Sequence, residues 1–306
     1  MRRRPRRRVD GSAAVPVATG HGTENDFVVL PDPDGALDLT PARVAALCDR
    51  RRGLGADGVL RVVRWAALDD ARFPAEPGVE WFMDYRNADG GVAEMCGNGV
   101  RVYARWLAAA GWLPGGVPAA PLRLGTRGGV RAVRFVPGGE VAVDMGPARV
   151  GAASAATVSD RVFAGVAVDV GNPHLACVTD IALDGLDLTA APGHDAALFP
   201  HGVNVEFVSP LRARAVDADP ADGAVGEVAV RVHERGVGET RSCGTGTVAA
   251  VVAALRAAGR EGGEVAVRTP GGRLRVTVTD GVGVLQGPAV LVASGTLDPS
   301  WWADLG

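Results

Sequence analysis

The chain has 306 residues, with 32 basic and 35 acidic side chains, a net charge of −3 and four cysteines. That length suits two domains of roughly 150 residues each, and a 47% hydrophobic fraction is enough to give each a core. The cysteines, at 48, 96, 177 and 243, form no C-x-x-C pair and no disulfide framework. No apolar run approaches the ~18 residues of a membrane span, and the charge balance gives no reason to expect a nucleic-acid partner. Every basic residue is arginine. Without a lysine there is no Schiff-base amine and no P-loop lysine, so the usual pyridoxal phosphate chemistry is excluded.

Six arginines fall within the first eight residues. No apolar h-region follows them, which argues against a secretory signal. Residues 1–14 read as a disordered, solvated tail, or as a start codon placed too early, and are left out of the fold reasoning. Regular structure is expected from about Asp26. Residues 27–30 form a short apolar strand, closed by the turn Pro31-Asp32-Pro33-Asp34-Gly35. Thr40 then caps a helix that has Pro41 at its first position. Strands follow at 58–63 and 80–85, a helix at about 97–110, and alternating strands at 122–124, 129–135 and 141–145. The stretch from Met145 to Val150 is taken as the domain boundary. Beyond it, strands are expected at 163–170, 175–178, 204–207 and 227–233, and a helix at about 244–258. Strands at 265–268, 274–278 and 289–294 complete the series.

The halves repeat one feature. Met95-Cys96-Gly97-Asn98-Gly99 precedes the first long helix, and Ser242-Cys243-Gly244-Thr245-Gly246 precedes the second. Nine positions before each cysteine stands a polar residue, Asn87 or Glu234. A cysteine ahead of a helix sits at the positive end of the helix dipole, where its thiol pKa is expected to fall from ~8.5 toward neutrality. The glycines allow backbone N–H groups to converge on a carboxylate. Two such sites facing one another suit a two-base reaction: one thiolate removes a proton from carbon and the opposite thiol returns one from the other face. A lone cysteine is more often a buried filler. Cys48, in the helix with Leu47, and Cys177, on an apolar strand, keep that reading; the repeated context of Cys96 and Cys243 reverses it.

With these motifs the chain resembles the diaminopimelate epimerases, from about His21 to Gly295. The matching segments are His21-Gly-Thr-Glu-Asn25-Asp-Phe27, Gly55-Ala-Asp57, Tyr85-Arg-Asn87-Ala-Asp89-Gly90, Glu94-Met-Cys96-Gly-Asn98-Gly99, Gly171-Asn-Pro-His174, Gly202-Val-Asn204, Glu234-Arg-Gly-Val-Gly-Glu-Thr240 and Ser242-Cys-Gly-Thr-Gly246. Proline racemases also carry paired cysteines but have His in the place of Asn98. The resemblance implies an α+β fold of two pseudo-symmetric domains, each a mostly antiparallel curled sheet around a central helix, with the active site in the cleft between them. The domains would be 15–145, with 289–300 crossing back to it, and 146–288. It implies a cytoplasmic, cofactor-independent, homodimeric epimerase of LL- and meso-2,6-diaminoheptanedioate in lysine and peptidoglycan precursor synthesis. Carried over position by position, Cys96 and Cys243 would be the acid/base thiols, assisted by His174 and Glu234. Asn25, Asn87, Asn172, Asn204, Glu234 and Arg235 would bind the substrate, and Gly97, Asn98, Gly244 and Thr245 would cradle the reacting carboxylate. One departure is Gly58, where many members have glutamine.

Other readings are weaker. Gly53-Leu-Gly55-Ala-Asp-Gly58 fits G-x-G-x-x-G, but it follows a helix and precedes a strand, the reverse of a dinucleotide site. Gly244-Thr-Gly246-Thr-Val-Ala249 has better context, yet Glu264 lies in a turn rather than at a strand end. A binding-only member of the same fold is disfavoured by the presence of both cysteines. The nearer alternative is a racemase or epimerase of another amino acid. The histidines show no metal-ligand spacing, and no metal is expected.

Overall fold

A computed structural model describes residues 14–213, 224 and 226–305. The Arg-rich stretch expected to form a tail lies, apart from Ala14, outside the described residues. In chain order the first elements are β1 (Pro16–Gly22), β2 (Asn25–Pro31), α1 (Pro41–Cys48), β3 (Gly58–Arg64), β4 (Trp81–Asn87), α2 (Gly97–Ala109), β5 (Leu122–Leu124) and β6 (Arg131–Phe135). Then come β7 (Val141–Pro147), β8 (Arg149–Val158), β9 (Arg161–Asp169), β10 (Pro173–Val178), β11 (Asn204–Val208), β12 (Gly226–Glu234) and β13 (Gly238–Thr240). The last are α3 (Gly244–Ala257), β14 (Gly263–Thr269), β15 (Gly272–Thr279), β16 (Val282–Gly287), β17 (Val290–Thr296) and α4 (Pro299–Asp304).

The chain forms two compact units, one of Met1–Gly22, Asp26–Phe135 and Ala289–Gly306, the other of Thr23–Asn25 and Val136–Pro288. The stretch Met145–Val150 lies within the second, across β7 and β8. In the first unit the sheet order is β17-β1-β2-β3-β4. β17 pairs antiparallel with β1, from Pro16 opposite Thr296 to His21 opposite Val290; β2 and β3 are parallel, β3 and β4 antiparallel. Helix α2 contacts β1, β3, β4 and β17, so most of its residues are buried, Val100, Val102, Tyr103 and Leu107 completely. A second layer of core joins β1 and β2 to α1 and α4 through Val17, Val28, Leu30, Val44, Leu47, and Trp302.

The second unit carries the order β7-β16-β15-β14-β12-β11-β10-β9-β8, with β13 on β12. Among the described residues only the pairs β10/β11 and β12/β14 of this unit are parallel. Helix α3 touches β9 to β12 and β14 to β16. A helix wrapped on that many sides by a sheet cannot keep a polar face, and Val248 through Val251 are completely buried. The fold is α+β, with each unit built as a mostly antiparallel sheet about one long buried helix.

One expectation is corrected. Regular structure starts at Pro16, ten residues before Asp26, because β1 is held by β17 from the far end of the chain. The stretch Met145–Val150 holds the end of β7 and the start of β8, a strand of ten residues rich in small side chains.

Candidate active site

Each long helix opens on a cysteine. In the first unit Cys96 is the N-cap of α2, with extended backbone (φ −139°, ψ 118°), and its Sγ accepts a hydrogen bond from the N–H of Gly99 at 3.4 Å. In the second unit Cys243 caps α3 in the same way (φ −117°, ψ 123°), its Sγ accepting from the N–H of Gly246, again at 3.4 Å. Sulfur here takes the place of the usual oxygen acceptor at a helix start. The third position needs glycine in both cases. A Cβ at 99 would come within 3.0 Å of the Leu60 side chain, and one at 246 within 2.6 Å of Glu206 Oε1.

Around Cys96 the first turn holds Gly97 and Asn98, both buried. The Asn98 amide oxygen accepts from Arg101 Nη2 at 3.0 Å, one turn along the helix. Asn87 ends β4 with an exposed side chain, and its backbone closes a turn with Gly90 and Gly91. At the same end of that strand pair, Gly58 starts β3 directly opposite Asn87. A Cβ there would meet the carbonyl oxygen of Arg86 at 2.5 Å and the Tyr85 ring at 2.7 Å. The backbone at 58 therefore has no room for the glutamine that the resemblance leads one to expect.

The second unit gathers more of the expected residues. His174 is completely buried on β10, directly across from Asn204 on β11. Its Nε2 lies 2.9 Å from Asn172 Oδ1 and its Nδ1 lies 2.7 Å from Glu206 Oε1. Asn204 accepts at Oδ1 from the backbone N–H of Arg235 at 2.9 Å, and Arg235 Nη1 donates to the carbonyl of His201 at 3.1 Å. Glu234 ends β12 and accepts from the Thr240 hydroxyl. Thr245 Oγ1 stands 3.6 Å from the Cys243 sulfur. Asn25 starts β2, half-buried, and belongs by its contacts to this unit.

One electrostatic expectation fails. The helix dipole was expected to pull both thiols toward neutrality. Burial instead raises the Cys243 thiol well above its ordinary value, and the negative charges of Glu234 and Glu206 push it further the same way. The hydrogen bonds from Thr245 and Gly246 oppose them but are outweighed. With the sulfur buried and two carboxylates nearby, the protonated form wins.

Sequence reasoning passed over Glu206. The signal was present: Glu206 is the only charged residue in β11, two positions from Asn204 and so on the same face of the strand. All five residues of that strand are buried. The other two cysteines behave as fillers. Cys48 lies on the buried side of α1, and Cys177 is enclosed on β10, its thiol donating to the Phe163 carbonyl at 3.6 Å. Among the described residues no three His, Cys, Asp or Glu side chains are grouped as a metal ion would require.

A sequence model of the family described as diaminopimelate epimerase matches residues 17–151 and 166–292. The chain belongs to the diaminopimelate epimerase family. It is 57% identical to a diaminopimelate epimerase of Rhodococcus jostii (strain RHA1), covering 94% of this chain and 98% of the relative. It is 55% identical to one of Mycolicibacterium smegmatis, covering 93% and 97%. Among solved structures it superimposes on a PhzF-family phenazine biosynthesis protein of Bacillus anthracis (TM-score 0.67, 14% identity, 94% of this chain and 99% of that one). It also superimposes on a hydroxyproline epimerase of Agrobacterium vitis (TM-score 0.61, 16% identity, 93% and 91%). At such identities the two structures bear on the fold alone.

Proposed function

We propose that this isomerase interconverts LL- and meso-2,6-diaminoheptanedioate by proton transfer between carbon and two thiols, Cys96 and Cys243. The observation that carries the reading is the repeated cap: one cysteine at the mouth of each long helix, its sulfur bonded to the N–H three residues on. In the forward direction one cysteine, as thiolate, takes the α-proton. The electron pair moves into the carboxylate as it becomes enediolate-like, and the opposite thiol gives its proton to the other face of the carbon. The first cysteine ends as thiol and the second as thiolate, and the reverse reaction uses them in exchanged roles. The raised pKa of Cys243 makes it the protonated partner before substrate binds.

Backbone N–H groups at Gly97-Asn98 and Gly244-Thr245 stabilise the developing negative charge, as helix N-termini do. His174 and Glu234 assist the thiols. Asn25, Asn87, Asn172, Asn204, Glu234 and Arg235 hold the amines and the distal carboxylate. No cofactor or metal takes part. The protein works as a cytoplasmic homodimer, and its product serves lysine and peptidoglycan precursor synthesis. Among the described residues no helix is long and apolar enough to cross a membrane.

The test is α-proton exchange in deuterated buffer with LL-diaminoheptanedioate, proline and hydroxyproline offered separately. Deuterium should enter only the diaminoheptanedioate, with inversion, and should do so after exhaustive dialysis against a chelator. Cys96→Ser and Cys243→Ser should each lower the epimerisation rate by at least ~10²-fold, the lower end of what a general base supplies. Either variant working at near wild-type rate would falsify the two-thiol mechanism.

A further inference from the structure

Glu206 has no place in the mechanism above, yet it occupies the middle of the second unit's site. Its side chain is completely buried. One oxygen contacts His174 Nδ1 at 2.7 Å, and the other has no hydrogen-bond partner among the described residues. Its other side lies on the first turn of α3, where a Cβ on Gly246 would sit 2.6 Å from Glu206 Oε1 and 3.3 Å from Cys243 Sγ. One carboxyl group thus abuts the imidazole and the thiol's helix cap together. A carboxyl kept only for structure is ordinarily hydrogen-bonded throughout when buried, since an unpaired buried oxygen is costly.

The hydrogen-bond pattern fixes a proton count. His174 is flanked by Glu206 Oε1 at Nδ1 and by Asn172 Oδ1 at Nε2. The amide oxygen only accepts, so Nε2 carries a proton. The Nδ1 contact then holds a second proton, on the ring as imidazolium or on Glu206 as carboxylic acid. Burial pushes the Glu206 carboxyl up to about 7, with His174 pulling it down and Glu234 pushing it up. The groups that bear on Glu206 are therefore His174 from β10, Glu234 from β12 and the Cys243 thiol at the cap of α3.

We propose that Glu206 is a positioning residue for the epimerisation: it holds the second proton of the His174 pair at Nδ1 and so fixes the ring against Asn172, and its carboxyl beside the cap of α3 holds Cys243 as the thiol. The functional part of this rests on the epimerase reading of His174 and Cys243; the proton sharing does not. It also gives Gly246 a second duty, since any larger residue would separate the carboxyl from the helix cap.

The variant Glu206→Gln removes the charge and keeps the shape. Nitrogen-15 NMR of the full chain without substrate should show a proton shared at His174 Nδ1 in the wild type, with Nε2 protonated as well. In Glu206→Gln the Nδ1 proton should be gone and the ring should be the neutral Nε2–H tautomer, and the Cys243 thiol should ionise at lower pH. With LL-diaminoheptanedioate, kcat should fall about tenfold or more, a fraction of a full general acid's contribution. KM should change less than threefold, and the pH–rate profile should move. A merely structural glutamate would lower Tm and leave the His174 Nδ1 signal and the pH profile where they were; that result overturns the proposal. Wild type inactive on diaminoheptanedioate but with the His174 difference intact would sink the epimerase reading instead. If the glutamine variant does not fold, Glu206→Asp serves, because withdrawing the carboxyl by one methylene should break the 2.7 Å contact and give the same loss of the shared Nδ1 proton.

Discussion

A thiol at a helix N-terminus feels the dipole, its burial and its neighbours, and the sequence displays only the first. For Cys243 the other two prevail, because the fold buries it and brings Glu206, from a distant part of the chain, beside it together with the nearby Glu234. The motif around each cysteine could be read from adjacent residues; the sign of the pKa shift could not. Cys48 and Cys177 add a consequence for stability. Burial pushes each thiol up from 9.0 to about 12. A group whose folded pKa lies above its unfolded one stabilises the protein fully below the unfolded value, and that stability is lost as pH rises through the window between them. The unfolding free energy should therefore hold up to about pH 9 and then decline toward pH 12. By pH 10 each cysteine should account for about 1.4 kcal/mol, one pKa unit's worth. Urea titrations at pH 7 and pH 10 test this. Cys48→Ala with Cys177→Ala should shrink the difference between the two pH values, and an unchanged difference would refute the assignment.

Among the elements, those with local punctuation were legible. Thr40 before Pro41 announces α1, and the Thr40 hydroxyl does accept from the Arg43 N–H at 3.2 Å. The Cys-Gly-x-Gly segments announce α2 and α3 to within a residue of their ends. Elements without such punctuation were not legible. β1 contains two glycines and a histidine and is a strand because β17 runs beside it. β8 is rich in alanine and pairs with β9 across a two-residue turn at Ser159 and Asp160, both residues that bear no apolar signal. The short helix α4 is capped by Asp298, which accepts from the N–H groups of Ser300 and Trp301 at 2.9 and 3.0 Å. Its purpose shows in Trp302, which is buried against the core with α1 and stacks under the Arg43 guanidinium at 4.8 Å. Trp302→Ala should cost about 3–5 kcal/mol, as large aromatic truncations in cores do. Thermal unfolding measures it, and a loss below about 1 kcal/mol would show that α4 is only laid on the surface.

At the scale of the whole molecule the two units differ in how the chain builds them. The first draws on both ends of the described chain: β17 and α4 return from beyond residue 288 to complete a sheet and a core begun by β1 and β2. The second is almost entirely the continuous stretch Val136–Pro288. Within that stretch lie helix α3, the strands around it and the cluster of Phe163, Leu175, Leu188, Phe199, Val205 and Phe207. Outside it are only Thr23–Asn25, which supply the Thr23 hydroxyl bond to Ser242 at 3.0 Å and an ion pair between Glu24 and Arg241. Exposed ion pairs contribute about 0–1 kcal/mol, and one hydrogen bond about 0.5–1.5 kcal/mol, so the stretch should survive without them. A fragment of residues 136–288 is expected to fold cooperatively, with a single urea transition by circular dichroism and the His174–Glu206 contact visible by NMR. It should not epimerise, because it lacks Cys96. A chain ended at Pro288 should show the converse: the second unit still melts as a unit, while the first loses the partner of β1 and the Trp302 contact and unfolds or becomes protease-sensitive. The intact chain should then unfold in more than one step, as chains with separate cores do. A fragment without a cooperative transition would show instead that the second unit's core is not sufficient by itself.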